Sequence, residues 1–310
     1  HSFLAVRLLA QLEQEFGVRL PLSQLLKDAT VASVAALLRG ERLDVTRAVV
    51  TLTSAGERPP LFFVHPAGGV ALFFVELCRH MGRTRPFHAI EDPSIYGVVP
   101  PFDTLPAMAR FYVDQLEEAY PEGPFALGGF CYGGVVAYEM AHMLRERGRA
   151  VSAFVMIDSQ VTLATYTVPD TLRHFIVQFS KIARLPPAAD LPSLTEEELW
   201  ERACSVGVHA NFAPAGSIRD YIARFVAYFR THVNLQAAHT VTGSLPDLPA
   251  VFLHSSEQHY LVPQTLAQWR QHCPLLEAGE LAGSHLSMMF EPYVQAVAAR
   301  LTAFLDRQCP

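Results

Sequence analysis

Residues 128–136 read GGFCYGGVV, and Gly129-Phe130-Cys131-Tyr132-Gly133 sets a cysteine at the centre of a G-x-C-x-G pentad. A nucleophile there, between an apolar run and an amphipathic one, would stand on a sharp strand-to-helix turn above the sheet edge. Sulfur in that place suits acyl transfer, because a thiolate is a strong nucleophile and needs only a nearby base to form. The bland alternative is a buried structural cysteine in a glycine-rich turn. The strand-like PFALGGF before it and the helical YGGVVAYEMAHMLRERG after it favour the nucleophile. Glycines 129, 133 and 134 would let strand and helix approach with no Cβ between them.

Histidine is the usual base for such a thiol. Of thirteen histidines, His285 lies in a small-residue loop, AGSHLSMM, after the last expected strand and before the final helix. The chain order of α/β-hydrolases (nucleophile, acid, histidine) puts the base there. His254 and His259 are rivals one strand earlier, and His65 reads as a structural or oxyanion-loop residue. The imidazole needs a third group to orient it. Asp158 ends the strand run VMID at the carboxyl end, where site residues gather in open α/β sheets. Glu257, in the polar loop HSSEQH, is its main competitor, and a helix cap or turn is the bland role for Asp158. An oxyanion would be stabilised by the backbone N–H of Tyr132, the residue after the nucleophile, and by one from the HPAGG loop, where Ala67 is the choice.

These residues need a scaffold, and the chain is long and apolar enough to build one. It has 310 residues, 50% hydrophobic and 17% charged, which argues for a sizeable core and against disorder. A net charge of −6 gives no basic face for nucleic acid, and no apolar run approaches the ~20 residues of a membrane span. Five scattered cysteines without C-x-x-C spacing argue against a disulfide framework or zinc site and fit a reducing cytoplasm. From residue 60 onward, strand-like and helical runs alternate: LFFVH, FHAIE, PFALGGF, AFVMID, AVFLH and PLLEAGEL are the expected strands. Alternation of this kind implies a parallel sheet covered on both faces. Between Asp158 and Leu248 it gives way to a mostly helical insertion, read as a lid over about 160–245. Residues 1–40 form a separate helical unit, with Leu4, Leu8, Leu12 and Phe16 on one face of an amphipathic helix closed by Gly17 and a second helix at about Thr30–Leu38. Residues 41–59 read as a linker, and 60–310 as the α/β domain. Phe175, Phe179, Phe212, Phe225 and Phe229 suggest an apolar lid pocket, or simply helix packing.

The run GPFALGGFCYGGVVAYEMAHML, the FFVHPAGG turn, the Asp in VMIDS and the GSHLSMM loop together resemble a thioesterase domain over about 60–306. More narrowly, they resemble the terminal thioesterase of a nonribosomal peptide or polyketide synthase. His1-Ser2-Phe3-Leu4 and the helix it opens are similar to the latter part of a peptidyl carrier domain. The resemblance implies an α/β-hydrolase fold with a helical lid, preceded by a helical carrier-domain fragment. It also implies 4'-phosphopantetheine covalently attached to Ser2 by a phosphopantetheinyl transferase, and an acyl or peptidyl chain delivered by upstream synthetase domains of the same polypeptide. The site implied is Cys131, Asp158 and His285. Most relatives carry serine at the elbow; those with cysteine are associated with ring closure, so release as a lactone or lactam is expected, with hydrolysis as the runner-up. A cysteine hydrolase resembling dienelactone hydrolases, with Glu257 as its acid, and a non-catalytic scaffold with a dead elbow are the remaining alternatives.

Overall fold

In the computed structural model, residues 2–18, 20, 30–39, 46–97, 99–186, 189–213, 215–258 and 262–309 are described, with backbone alone for 2–7 and 10. Helix α1 (Ser2–Phe16) ends where Gly17, at φ +66°, turns the chain and returns its N–H to the Glu13 carbonyl at 2.9 Å. Helix α2 (Val31–Leu38) is capped by Thr30, whose hydroxyl accepts from the Ser33 N–H. Both match the expected positions.

The sheet has seven strands: β1 (Val49–Thr53), β2 (Leu61–Val64), β3 (Phe87–Ile90), β4 (Phe125–Phe130), β5 (Val151–Ile157), β6 (Ala250–Ser255) and β7 (Leu276–Leu281). They lie in the order β1-β3-β2-β4-β5-β6-β7. All neighbours are parallel except β1, which runs antiparallel to β3 with Val50 opposite Ala89. The six sequence-expected strands are present. The expected linker over 41–59 needs correction, because Val49–Thr53 within it is the edge strand of the sheet (residues 41–45 lie outside the described residues). Only Val50 of that strand is buried and its pairing is interrupted between Thr51 and Thr53, so a one-sided edge strand leaves little apolar pattern to read.

Central strands are apolar on both faces, as a covered parallel sheet requires. Leu61 and Phe63 point into one core with helices α3 (Val75–Met81) and α10 (Val294–Gln308); Phe62 and Val64 point into the other with α4 (Leu105–Ala119) and α5 (Tyr132–Glu146). Three helices fill the insertion between β5 and β6, where a lid is expected: α6 (Val168–Ile182), α7 (Glu196–His209) and α8 (Ile218–Ala237). The first two begin with reciprocal capping boxes, Thr167 with Asp170 and Thr195 with Glu198, each satisfying N–H groups that a helix start leaves unpaired. Helix α9 (Val262–His272) fills the β6–β7 crossover. Among the described residues, no helix is long and apolar enough to cross a membrane.

Candidate active site

The turn from β4 to α5 is built by what is missing. A Cβ on Gly129 would overlap the Gly133 backbone, one on Gly133 the Val64 carbonyl of β2, and one on Gly134 the Ser159 side chain. Three absent side chains therefore let helix α5 start against the ends of β2 and β4. Between them Cys131 is held at φ +57°, ψ −121°, with its N–H on the Ile157 carbonyl at 2.9 Å. Asp158, at the end of β5, stands at φ +44°. A non-glycine residue in that region costs about 1–3 kcal/mol, and the surrounding ladder must hold it. Its N–H donates to Leu253 at 2.8 Å, and its Oδ1 accepts from the Ser255 N–H at 2.8 Å.

Oδ2 of the same carboxylate lies 3.1 Å from His285 Nδ1, and the His285 imidazole also hydrogen-bonds Cys131. Cys131, Asp158 and His285, three residues far apart in sequence, thus meet at the carboxyl ends of the central strands. His285 is braced by the Phe130 ring, stacked at 4.8 Å and 28°. Its loop is tied by Ser284 and Ser287, whose hydroxyls lie 3.0 Å apart. Burial works against charge on His285, yet negative charge on Cys131, the hydrogen bonds to Asp158 and Cys131, and the Asp158 charge raise its pKa well above the ordinary imidazole range.

The other candidates go elsewhere. Glu257 pairs with Lys181 of α6 at the surface, which leaves the position beside His285 to Asp158. His254 is buried against Phe252, and His259 lies outside the described residues. His65 donates from Nδ1 to the Pro66 carbonyl at 2.8 Å, so its Nε2 accepts from the Tyr112 hydroxyl at 2.7 Å. Burial and the neighbouring His232 push its pKa down to about 3; it is a neutral structural residue. Tyr132 is the first residue of α5, where N–H groups have no partner within the helix. The Ala67 N–H forms none of the turn and loop backbone hydrogen bonds found among the described residues.

Sequence reasoning missed the lid's polar contribution. Tyr166, just before α6, and His174 of α6 flank Phe229 of α8, with ring centroids 5.9 and 4.8 Å away. Burial first, and then negative charge on Cys131, raises the Tyr166 pKa; burial and His285 push His174 down to about 3. The lid phenylalanines pack chiefly on one another, Phe175 on Phe179 at 4.5 Å and Phe179 on Phe212 at 4.7 Å. Phe225 reaches the HPAGG loop, where a Cβ on Gly68 would meet its ring at 3.6 Å. A Glu76, His80 and Glu291 group has metal-ligand spacing among the described residues, but Arg79 already forms ion pairs within it.

Ser2 is the first residue of α1, and that helix has no acidic residue in its first turn. A phosphodiester on Ser2 would meet the electropositive helix end without opposing charge. On this ground the residues fit the group.

The chain is similar to several known proteins. The dimodular nonribosomal peptide synthase of Bacillus subtilis (strain 168) is 34% identical over 160 residues, covering 51% of this chain and 7% of that protein. Chondramide synthase of Chondromyces crocatus is 24% identical over 326 residues, covering 99% of this chain and 8% of the synthase. The chain thus spans less than a tenth of the length of either relative. Among solved structures, a four-domain nonribosomal peptide synthetase in its holo form superposes with a TM-score of 0.70 at 26% identity, covering 97% of this chain and 23% of that one. The NocB thioesterase domain from the nocardicin cluster shares the fold, with a TM-score of 0.60 at 22% identity over 84% of this chain and 99% of its own. Residues 1–38 match the phosphopantetheine attachment site family. Residues 59–289 match the thioesterase domain family, and the chain belongs to it.

Proposed function

We propose that this chain is the product-releasing thioesterase of a nonribosomal peptide synthetase, working through Cys131, His285 and Asp158. The observation that carries the reading is His285, hydrogen-bonded on one side to a cysteine at a positive-φ elbow and on the other to a carboxylate. Phosphopantetheine on Ser2 would supply the acyl chain as a thioester. His285 holds the proton of Cys131, and Asp158 keeps its Nδ1–H directed inward. The thiolate attacks the thioester carbonyl, and the Ala67 and Tyr132 N–H groups stabilise the oxyanion. His285 then returns the proton to the leaving thiol.

A cysteine nucleophile changes the second half-reaction. One thioester is exchanged for another, so acylation is nearly balanced. The acyl-enzyme carries a leaving group of pKa ~8.5, far below that of an alkoxide. Such an ester is open to weak nucleophiles and strained ring closure. His285 takes the proton of a hydroxyl or amine within the acyl chain, the new bond closes the ring, and Cys131 leaves as the thiolate. The lid over about 160–245 restricts water. Release is thus proposed as a lactone or lactam.

Intact mass spectrometry after incubation with an aryl-acyl N-acetylcysteamine thioester tests the reading. An adduct is expected on the chain and absent from C131A and H285A. A folded chain that acquires no adduct overturns it, and an adduct discharged only as the free acid replaces ring closure by hydrolysis.

A further inference from the structure

A second buried Asp–His pair lies across the nucleophile strand from the first. Asp92, just past β3, places Oδ2 at 2.9 Å from Nε2 of His232, with side-chain exposures of 2% and 1%. His232 belongs to lid helix α8. Its Nδ1 accepts the Gly68 N–H at 3.1 Å, which fixes the tautomer: Nε2 carries the proton and donates to Asp92. The carboxylate accepts further from the Ser94 N–H at 2.8 Å and the Ser94 hydroxyl at 2.7 Å. Burial disfavours its charge, but the hydrogen bonds from His232 and Ser94 hold its pKa below the usual carboxylate range.

The rings around this pair tie it to both proposed oxyanion donors. His232 stacks on Tyr132 at 5.1 Å and 25°, and Tyr132 stacks in turn on His65 at 5.9 Å. The Tyr132 hydroxyl ends on Met108 sulfur at 3.3 Å, so the first residue of α5 is anchored through its side chain. On the other side lies the HPAGG loop. Its Gly68 N–H is used by His232, and its Gly69, at φ +85°, has no room for a Cβ, which would stand 2.6 Å from Ile95 and 3.4 Å from His232. The Gly69 carbonyl accepts from the Asp92 N–H at 2.9 Å. The loop that carries Ala67 is thus clamped between a sheet-end carboxylate and a lid imidazole.

We propose that His232, held by Asp92, is a positioning residue that sets the oxyanion hole from the lid side, so that the Ala67 and Tyr132 N–H groups converge only when helix α8 is seated. The inference rests on the reading of those two groups as the oxyanion donors. His232 has both ring nitrogens engaged within the protein and is not a base in the reaction. Its effect falls on the transition state: the loop geometry matters when the carbonyl oxygen gains charge, and less when the thioester binds.

Two substitutions separate this role from a merely structural one. His232→Asn puts a side-chain oxygen where Nδ1 was and can still accept the Gly68 N–H. His232→Gln puts its amide where Nε2 was and can still meet Asp92. Each loses one of the two hydrogen bonds, so a structural pair would treat them alike. The test measures acylation of Cys131 in the full chain with the aryl-acyl N-acetylcysteamine thioester, thermal unfolding, and amide hydrogen exchange of residues 66–69. Loss of a single oxyanion donor costs about 10²–10³-fold in rate, and a misplaced one should cost less. The expected result is H232Q slowed about 10- to 100-fold in kcat, with KM changed less than about threefold and faster exchange at 66–69, while H232N stays within about fivefold of the parent. Equal rates and equal exchange in both variants overturn the proposal, as does a loss in both confined to Tm. A parent chain that is never acylated while H232Q still loosens 66–69 sinks the functional reading and leaves the clamp standing.

Discussion

Asp158–His285 and Asp92–His232 use the same two side-chain types at nearly the same distance, 3.1 and 2.9 Å, on either side of β4. Their surroundings make them different devices. Asp158 stands at positive φ, with its remaining oxygen on a backbone N–H, and its histidine spends only Nδ1 on the protein fold, leaving the second nitrogen for a thiol. Asp92 precedes a short 3-10 turn and shares its oxygens with Ser94, and its histidine spends both nitrogens on the protein. An imidazole with one nitrogen facing a nucleophile can move a proton; one with both nitrogens committed can only hold a shape. What separates a base from a brace is the partner of the second nitrogen, and neither sequence spacing nor burial reports it.

The largest effect is expected from H285A. It should abolish acyl-enzyme formation in the mass-spectrometric assay, and an adduct that survives would remove His285 as base. Asp158→Asn keeps the shape and loses the charge that orients the imidazole; the acylation rate should fall by about 10²- to 10⁴-fold, as in triads generally, in stopped-flow acylation.

Asp92→Asn should act first on stability, by about 1–3 kcal/mol for buried partners left ill-satisfied, read in chemical denaturation. The sign with pH follows from the depressed Asp92 pKa. Its stabilisation is present above the unfolded value of about 3.9 and is lost as pH falls through the lower folded value. The Asn variant should therefore lack that acid limb. Cys131→Ser tests the electrostatics of the first pair. Cys131 is the largest influence raising His285, and a serine hydroxyl is uncharged near neutral pH. The His285 imidazole should then titrate lower, followed by NMR of the ring protons; an unchanged titration would assign the shift to Asp158 alone. The smallest effect is expected from Glu257→Gln. It removes a surface ion pair worth about 0–1 kcal/mol and should leave the acylation rate at the parent value, and a large loss would reinstate Glu257 as the acid.

Much of this site was legible because its parts are local. The elbow is a short run whose three glycines, 129, 133 and 134, each answer to a specific close approach, and Asp158 closes a strand that is apolar and buried from Ala153 onward. The strand at Val49–Thr53 was not legible, since one buried residue on an edge gives no period. Asp92 and His232 left fainter traces. His232 interrupts the buried stripe of α8 between Phe229, Val233 and Gln236, and a polar residue at a core position of an amphipathic helix asks for a partner. Its partner is a side chain 140 residues earlier in the chain, which no periodicity connects to it.

The glycine-bounded elbow around Cys131, the order of strands and helices along the chain, the helical insertion and the carboxyl strand ends follow from the amino-acid sequence alone, because short-range pattern and the sterics of glycine set them. Folding alone settles that Asp158 rather than Glu257 meets His285, that His65 is a neutral brace, and that His232 of α8 reaches the HPAGG loop. Those outcomes depend on which groups are brought together by folding and on which lone pair or proton each has left to share.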